Sequence, residues 1–316
     1  MTAASIVVPA ALAGDRLDRV VALLSGRTRA EVAHLVEAGG VQVGGVAEHR
    51  RSRRLVAGEE VRFDLSALPE AASSVRAAEP GSVAFKVCSE DADFLIVDKP
   101  VGVVTHPGAG QAEGTLVNGL LARYPELALL PDLGCGTAER PGIVHRLDKE
   151  TSGLLAVARS ETGFRSLSAQ LADRSLGRTY RALVSGLVGP EQGIVDAPIG
   201  RSGREPTRMA VTSGGRAART RYVVLQRYSG PVPASELEVR LETGRTHQIR
   251  VHLAAIGHPV LGDSRYGRQG AARASRLMLH AERLSLMHPR TGDPMVFESS
   301  LPDDFAGDLE RFSLLE

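Results

Sequence analysis

Apolar residues recur at helical spacing in residues 16–24, where Leu17, Val20, Val21 and Leu24 fall on one face. A second helix is predicted from Thr28, a capping residue with Glu31 three positions on, the capping-box pattern. It carries Val32, Leu35 and Val36 and stops at Gly39-Gly40. Val41-Gln-Val-Gly-Gly reads as a strand and tight turn, and Gly58-Glu-Glu-Val-Arg-Phe63 as a closing strand. Between Ser66 and Ser82 the periodicity disappears into Ala, Ser, Pro and Glu, the composition of a linker.

Beyond the linker, residues 84–88 and 94–98 are strand-like runs around an acidic turn, and Lys99-Pro100 opens a loop that extends to Gly108. A helix is predicted over 114–124 with Thr115 as its cap, and another from the cap Ser160 through Phe164, Leu167 and Leu171. Leu154-Leu-Ala-Val-Ala158 has the unbroken apolar character of a buried strand. Residues 178–186, 217–228 and 236–242 alternate like strands. Thr246 is expected to cap a helix bearing Ile249, Leu253 and Ile256 on one face, and strands at 277–286 and 294–297 follow. The expected organisation is α+β: a small α/β module at 1–65, a linker at 66–82 and a large domain at 83–316.

Length and composition, 316 residues with 43% hydrophobic and 24% charged, fit a globular chain of that size. No run approaches the roughly 18 apolar residues of a membrane span, and the N-terminus lacks the order of a signal peptide. Cys88 and Cys135 have no metal-ligand spacing. These features lead us to expect a reduced, cytoplasmic protein without a membrane partner. The net charge of +1 conceals segregation: six arginines face only Glu205 in residues 200–221, whereas 291–316 is acidic apart from Arg311. Locally Arg-rich segments suit a polyanion held on one face.

The chemistry concentrates in Gly142-Ile-Val-His-Arg-Leu-Asp-Lys-Glu-Thr-Ser-Gly153, a charged stretch set between apolar runs. His145, Arg146 and Asp148 therefore approach low-dielectric surroundings, where a carboxylate needs a partner. Leu241-Glu-Thr-Gly-Arg-Thr-His-Gln-Ile-Arg250 offers one. From the residues alone Asp148 reads more readily as the closing residue of a turn. Arg245 would sit at the positive end of a helix, unfavourable for a cation by roughly 0.3–1 kcal/mol, which suggests that it meets an anion. His145 on one side and His247 and His252 on the other come from two distant segments and lack zinc spacing. Neither a Walker loop nor a dinucleotide fingerprint is present. No metal or cofactor is expected.

Two resemblances extend this reading. Residues 14–64 resemble the S-four type RNA-binding domain, through Arg16-Leu-Asp18, the Thr28-Arg29 helix start, Gly40-Val-Gln-Val43 and Gly58-Glu-Glu-Val61. Gly44-Gly45 stands where the family often has Asn-Gly. The resemblance implies RNA contacts by Arg27, Arg29 and the cluster Arg50, Arg51, Arg53 and Arg54.

Residues 84–300 resemble the RluA/RluD family of RNA pseudouridine synthases. Asp98-Lys-Pro100, Thr105-His-Pro107, the His145–Gly153 string, Arg178-Thr-Tyr180 and the Leu241–Arg250 stretch appear in the family's order. The resemblance implies a mixed, mainly antiparallel sheet flanked by helices, and a redox-neutral isomerisation of uridine. Asp148 would be the catalytic carboxylate, attacking the nucleotide or removing a ribose proton. Arg245 would pair with it and hold it ionised. Tyr180 would stack on the base and take the proton from carbon 5, and Arg146 would fill the space left by a flipped nucleotide. His145 and Lys99 are expected near the RNA. The RluD-like arrangement implies a ribosomal RNA partner, most readily large-subunit RNA or a pre-ribosomal particle, and a monomeric enzyme. The alternatives are a tRNA-directed member of the family and a non-catalytic RNA chaperone or assembly factor.

Overall fold

The computed structural model describes residues 3–9, 12–25, 29–64, 75–108, 111–203, 205, 207–267 and 274–314. The chain divides into two compact units, Met1–Ser74 and Val75–Glu316.

In the first unit, β1 (Ala3–Val7) precedes α1 (Leu17–Ser25) and α2 (Arg29–Glu37), followed by β2 (Val41–Val43), β3 (Val46–Ala47) and β4 (Glu60–Asp64). The strands form an antiparallel sheet in the order β1-β4-β2-β3. Leu17, Val20 and Val21 of α1 meet Val32, Leu35 and Val36 of α2 over Val41, Val61 and Phe63 of the sheet. Gly44 and Gly45 join β2 to β3 with φ of 61° and 80°, the backbone of a two-residue hairpin turn. The apolar pattern does not announce β1: it is an edge strand whose residues are mostly exposed. The predicted cap Thr28 lies outside the described residues.

The second unit opens with β5 (Lys86–Glu90) and β6 (Phe94–Lys99), then α3 (Leu116–Arg123), β7 (Ser152–Ala158), α4 (Glu161–Ala172) and β8 (Gly177–Ser185). It continues through β9 (Gln192–Asp196), β10 (Ile199–Arg201), β11 (Met209–Val211), β12 (Arg219–Gly230), β13 (Ala234–Leu241) and α5 (Gln248–Ala255). The last elements are β14 (Leu279–Met287), β15 (Pro294–Glu298), α6 (Asp303–Leu309) and β16 (Ser313–Leu314). Ten strands form one sheet, with the main order β16-β12-β13-β8-β14-β7-β6-β5. Its pairings are antiparallel except that of β7 with β14.

Strand alternation decides which helix covers which face. Leu95 and Val97 of β6, with Leu155 and Val157 of β7, belong to the core shared with Leu116, Leu120, Leu253 and Phe305 of α3, α5 and α6. Their sequence neighbours Phe94, Ile96, Leu154 and Ala156 pack on the other side with Leu167 of α4. Buried on both faces, β7 shows the continuous apolar run expected of it.

The predicted linker is shorter than its composition suggested. Ala78 donates its N–H to the Asn118 carbonyl (3.0 Å), and Asn118 Nδ2 donates to the Arg76 carbonyl (2.7 Å). Gly119 makes room for this segment, since a Cβ there would lie 2.9 Å from Val83 Cβ. Low apolar content concealed attachment through backbone groups. At α5 the cap is His247, in the left-handed region (φ 57°), rather than Thr246. Ile256, expected on the apolar face of that helix, lies just past its end and is exposed.

Gly153 begins the crossing of β7 beside β14. Its φ is 111°, and a Cβ would run into the Ala281 backbone. Gly153→Ala is expected to destabilise this unit by about 2–4 kcal/mol through combined strain and overpacking, read by chemical denaturation.

Candidate active site

Asp148 lies in the loop that feeds β7, and three separate clamps hold that loop. Thr105 Oγ1 donates to the Leu147 carbonyl at 2.8 Å, and the Gly102 N–H donates to the Lys149 carbonyl at 2.8 Å. His145 Nε2 accepts from the Ala156 N–H at 3.0 Å. That bond places the imidazole proton on Nδ1. Burial, with the Arg178 charge nearby, pushes the His145 pKa down to about 3, so the ring stays neutral. His145, expected at the RNA, borders the larger cavity beside Asp148, but its Nε2 is engaged by backbone and its Nδ1 is shielded from solvent. It latches the loop to the strand.

Lys99 likewise serves the protein rather than a phosphate. It is fully buried, and its ammonium donates to the carbonyls of Pro100 (2.8 Å), Val103 (2.9 Å) and Lys149 (3.3 Å). Burial pushes its pKa down to about 7, against the opposing influence of Asp148.

The partner of Asp148 is Arg250, with Nη1 3.3 Å from Oδ2. Arg250 also grips the buried Asp263 through Nε (2.7 Å) and Nη2 (2.9 Å). Burial opposes the Arg250 charge, but the two carboxylates outweigh it and hold the guanidinium cationic. His247 Nε2 stands 4.0 Å from Asp148 Oδ1, while His247 Nδ1 shares a 2.8 Å hydrogen bond with the Tyr266 hydroxyl.

Arg245 does not take the expected position. It precedes the cap of α5, and its Nε donates to the Ala217 carbonyl at 3.0 Å. Arg250 lies in the first turn of the helix, where side chains point back toward the N-terminus. That direction carries its guanidinium to Asp148.

Two cavities meet at Asp148. One, of about 500 Å³, is lined by Arg140, Arg146, Arg174, Arg178 and Arg245 among others. The other is a recess of about 50 Å³ whose lining mixes Leu147, Leu241, Ile249 and Leu279 with His247, Gln248 and Arg250. Tyr180, Arg146 and Arg245 border both. Tyr180 projects from β8 and is 5% exposed. Burial pushes its pKa up to about 12, with Arg178 opposing and Asp148 adding to the rise. The resting side chain is therefore a neutral phenol, able to accept a proton only after its own has moved.

A family model described as RNA pseudouridylate synthase matches residues 93–255. The chain belongs to that family. It is 40% identical over 314 residues to the ribosomal large subunit pseudouridine synthase D of Nitrosomonas europaea, covering 96% of this chain and 86% of that protein. An RNA pseudouridine synthase of Chloroflexus aurantiacus is 44% identical over 301 residues, covering 95% and 90% of the two chains. Among solved structures, human RNA pseudouridylate synthase domain containing 1 matches with a TM-score of 0.58 and 30% identity, covering 76% of this chain and 94% of that one. The protein is thus an RNA pseudouridine synthase, an isomerase that forms pseudouridine from uridine.

In this synthase the N-terminal arginines divide by their partners. Arg53 is tied to Glu48 (3.0 Å) and Glu59 (2.8 Å), and Arg54 donates to the Gly14 carbonyl (2.6 Å). Those two brace the module. Arg50 and Arg51 are exposed and hold Glu48 and Glu37 only at 3.6 and 3.9 Å. Arg27 and the side chain of Arg29 lie outside the described residues.

The sequence reading missed Gln248. Its Oε1 accepts from Thr243 Oγ1 (2.7 Å) and the Arg245 N–H (3.0 Å). Its Nε2 donates to the Arg219 carbonyl and Thr220 Oγ1, both at 3.0 Å. One buried amide thus joins β12 to the loop carrying Arg245. A polar residue at the apolar start of a helix was the available signal.

Lys99 supplies a test. With its folded pKa near 7 and the ordinary value near 10.5, the unfolded chain holds more protons between those limits. Stability attributable to Lys99 should therefore rise as pH increases from about 7 to about 10.5. Denaturation across that range should show this slope in the wild type and its loss in Lys99→Met.

Proposed function

We propose that this synthase modifies large-subunit ribosomal RNA, with Asp148 as the carboxylate that reacts at the ribose of a flipped uridine. The position of Asp148 at the junction of an arginine-lined cavity and a smaller recess, with the Tyr180 ring bordering both, carries the proposal. The arginines of the larger cavity suit the sugar–phosphate backbone, and the Tyr180 ring with Leu147, Leu241, Ile249 and Leu279 offers a nucleobase a surface to stack and pack on. The ribosomal substrate is supported by the relative from Nitrosomonas europaea, whose match spans almost the whole chain.

Isomerisation breaks the bond from ribose carbon 1′ to uracil nitrogen 1 and forms one to carbon 5; carbon 5 loses its proton and nitrogen 1 gains one. Asp148 either adds to the ribose or removes a ribose proton as the first bond breaks. Both courses use the carboxylate form, and Arg250 pairs with that form. Arg146, exposed beside both cavities, enters the stack vacated by the uridine and offsets part of the flipping cost. The N-terminal module, an S-four type domain in this reading, adds RNA contacts through Arg50 and Arg51.

Asp148→Asn should reduce isomerisation by at least about 10²–10⁴-fold, read as tritium release from RNA labelled at uridine carbon 5. Its RNA affinity should stay within about threefold, because the change removes no phosphate contact. Retained turnover would exclude Asp148 as the reacting group. Deleting residues 1–74 should weaken binding to full-length RNA and flatten its salt dependence, by about 0.7–0.9 in log–log slope for each lost phosphate contact. An unchanged slope would remove the RNA-binding role of the N-terminal module.

A further inference from the structure

Buried arginines of the catalytic unit differ in one respect that the proposed chemistry does not use. Arg250 is paired with Asp263 and Asp148, and Arg276 with Asp304. Arg178 is 7% exposed, yet no described carboxylate lies within ion-pair distance of it, and its Nε is buried without an acceptor. The nearby Tyr180 is a neutral phenol and supplies no countercharge. A covered cation with no compensating anion is costly to maintain in a folded chain.

Local packing fixes where this charge is presented. Arg178 and Tyr180 are two residues apart on β8 and therefore project from the same face. Both line the cavity of about 500 Å³ that Asp148 borders. Gly244 lies against the guanidinium: a Cβ there would stand 2.7 Å from Arg178 Nη1. A side chain at 244 would push the head group aside. The acids bordering the cavity are Asp148 and Glu242, and both are engaged elsewhere. Asp148 pairs with Arg250, and Glu242 with Arg174, Arg219 and Arg221.

We propose that Arg178 binds the RNA phosphate flanking the flipped uridine, fixing the backbone while the base enters the recess beside Tyr180. This subsite rests on the functional reading above, in which the ribose lies at Asp148. A uracil carbonyl could accept a hydrogen bond from Arg178 but would leave its charge unanswered. A phosphate supplies both the charge and paired acceptor oxygens, the geometry a guanidinium fork fits best.

The test couples the side chain to one linkage. A substrate RNA is made with a neutral methylphosphonate on either side of the target uridine and isomerised by wild type, Arg178→Leu and Arg178→Lys. The wild type should lose roughly 10–100-fold in kcat/KM at one of the two linkages. Arg178→Leu should lose a similar factor on unmodified RNA and little more on the methylphosphonate RNA. Arg178→Lys, which keeps the charge without the fork, should fall between them and provides the coupling if the leucine variant does not fold. A wild-type enzyme indifferent to both linkages would overturn the proposal, as would equal methylphosphonate losses with and without Arg178. The RNA is taken from whichever class the wild-type enzyme modifies, so an error in substrate class leaves this test intact. Failure to modify any RNA would instead refute the functional reading itself.

Discussion

The catalytic unit depends on a chain of three charges, Asp263, Arg250 and Asp148. Asp263 is buried, which alone would raise its pKa. The two Arg250 bonds and the N–H groups of Arg265 and Tyr266 outweigh that and hold it below the usual carboxylate range. Anchored at this end, Arg250 offers its remaining Nη1 to Asp148. Taking one member away from such a buried set leaves a charge without compensation, typically at a cost of 3–5 kcal/mol. The arrangement keeps a carboxylate at the junction of two cavities without closing it off, since the Asp148 side chain remains 15% exposed.

The surrounding fold serves that placement. The sheet carries Tyr180 on β8, and α5 starts close enough behind β13 for its first turn to deliver Arg250. Carbonyls of the Asp148 loop are tied down by Thr105, Lys99 and the Gly102 N–H, while Gln248 tethers the opposing loop. Such backbone bonds under low dielectric define position closely, and a reacting group must be held closely to work. His247 adopts its left-handed conformation between Arg245 and Arg250, which turns the chain so that one arginine faces outward and the other inward.

Much of this was legible in the chain. Helical spacing located α1 and α2, the caps Thr115 and Ser160 start α3 and α4 as expected, and the apolar run at 154–158 is a buried strand. Short edge elements were not legible: β1, β10 and β11 bury too few residues to impose alternation. The same limit applies to partners. The resemblance gave Asp148 to Arg245, but side-chain direction along the helix brings Arg250 there instead. The resemblances placed Lys99, His145, Arg53 and Arg54 at the RNA. In the fold they bind carbonyls, an N–H group and acids of their own chain, which composition cannot distinguish from binding a phosphate.

The central claim is that Arg250, and not Arg245, supports the reaction at Asp148. Single-turnover rates at saturating RNA, for Arg250→Gln and Arg245→Gln variants that still unfold cooperatively, test it most directly. We predict that Arg250→Gln lowers the saturated rate by about 10²-fold or more, the scale of a lost electrostatic contact in the transition state. Arg245→Gln should weaken RNA binding while its saturated rate stays within about threefold, the signature of lost uniform binding. The reverse order of the two saturated rates would contradict the account.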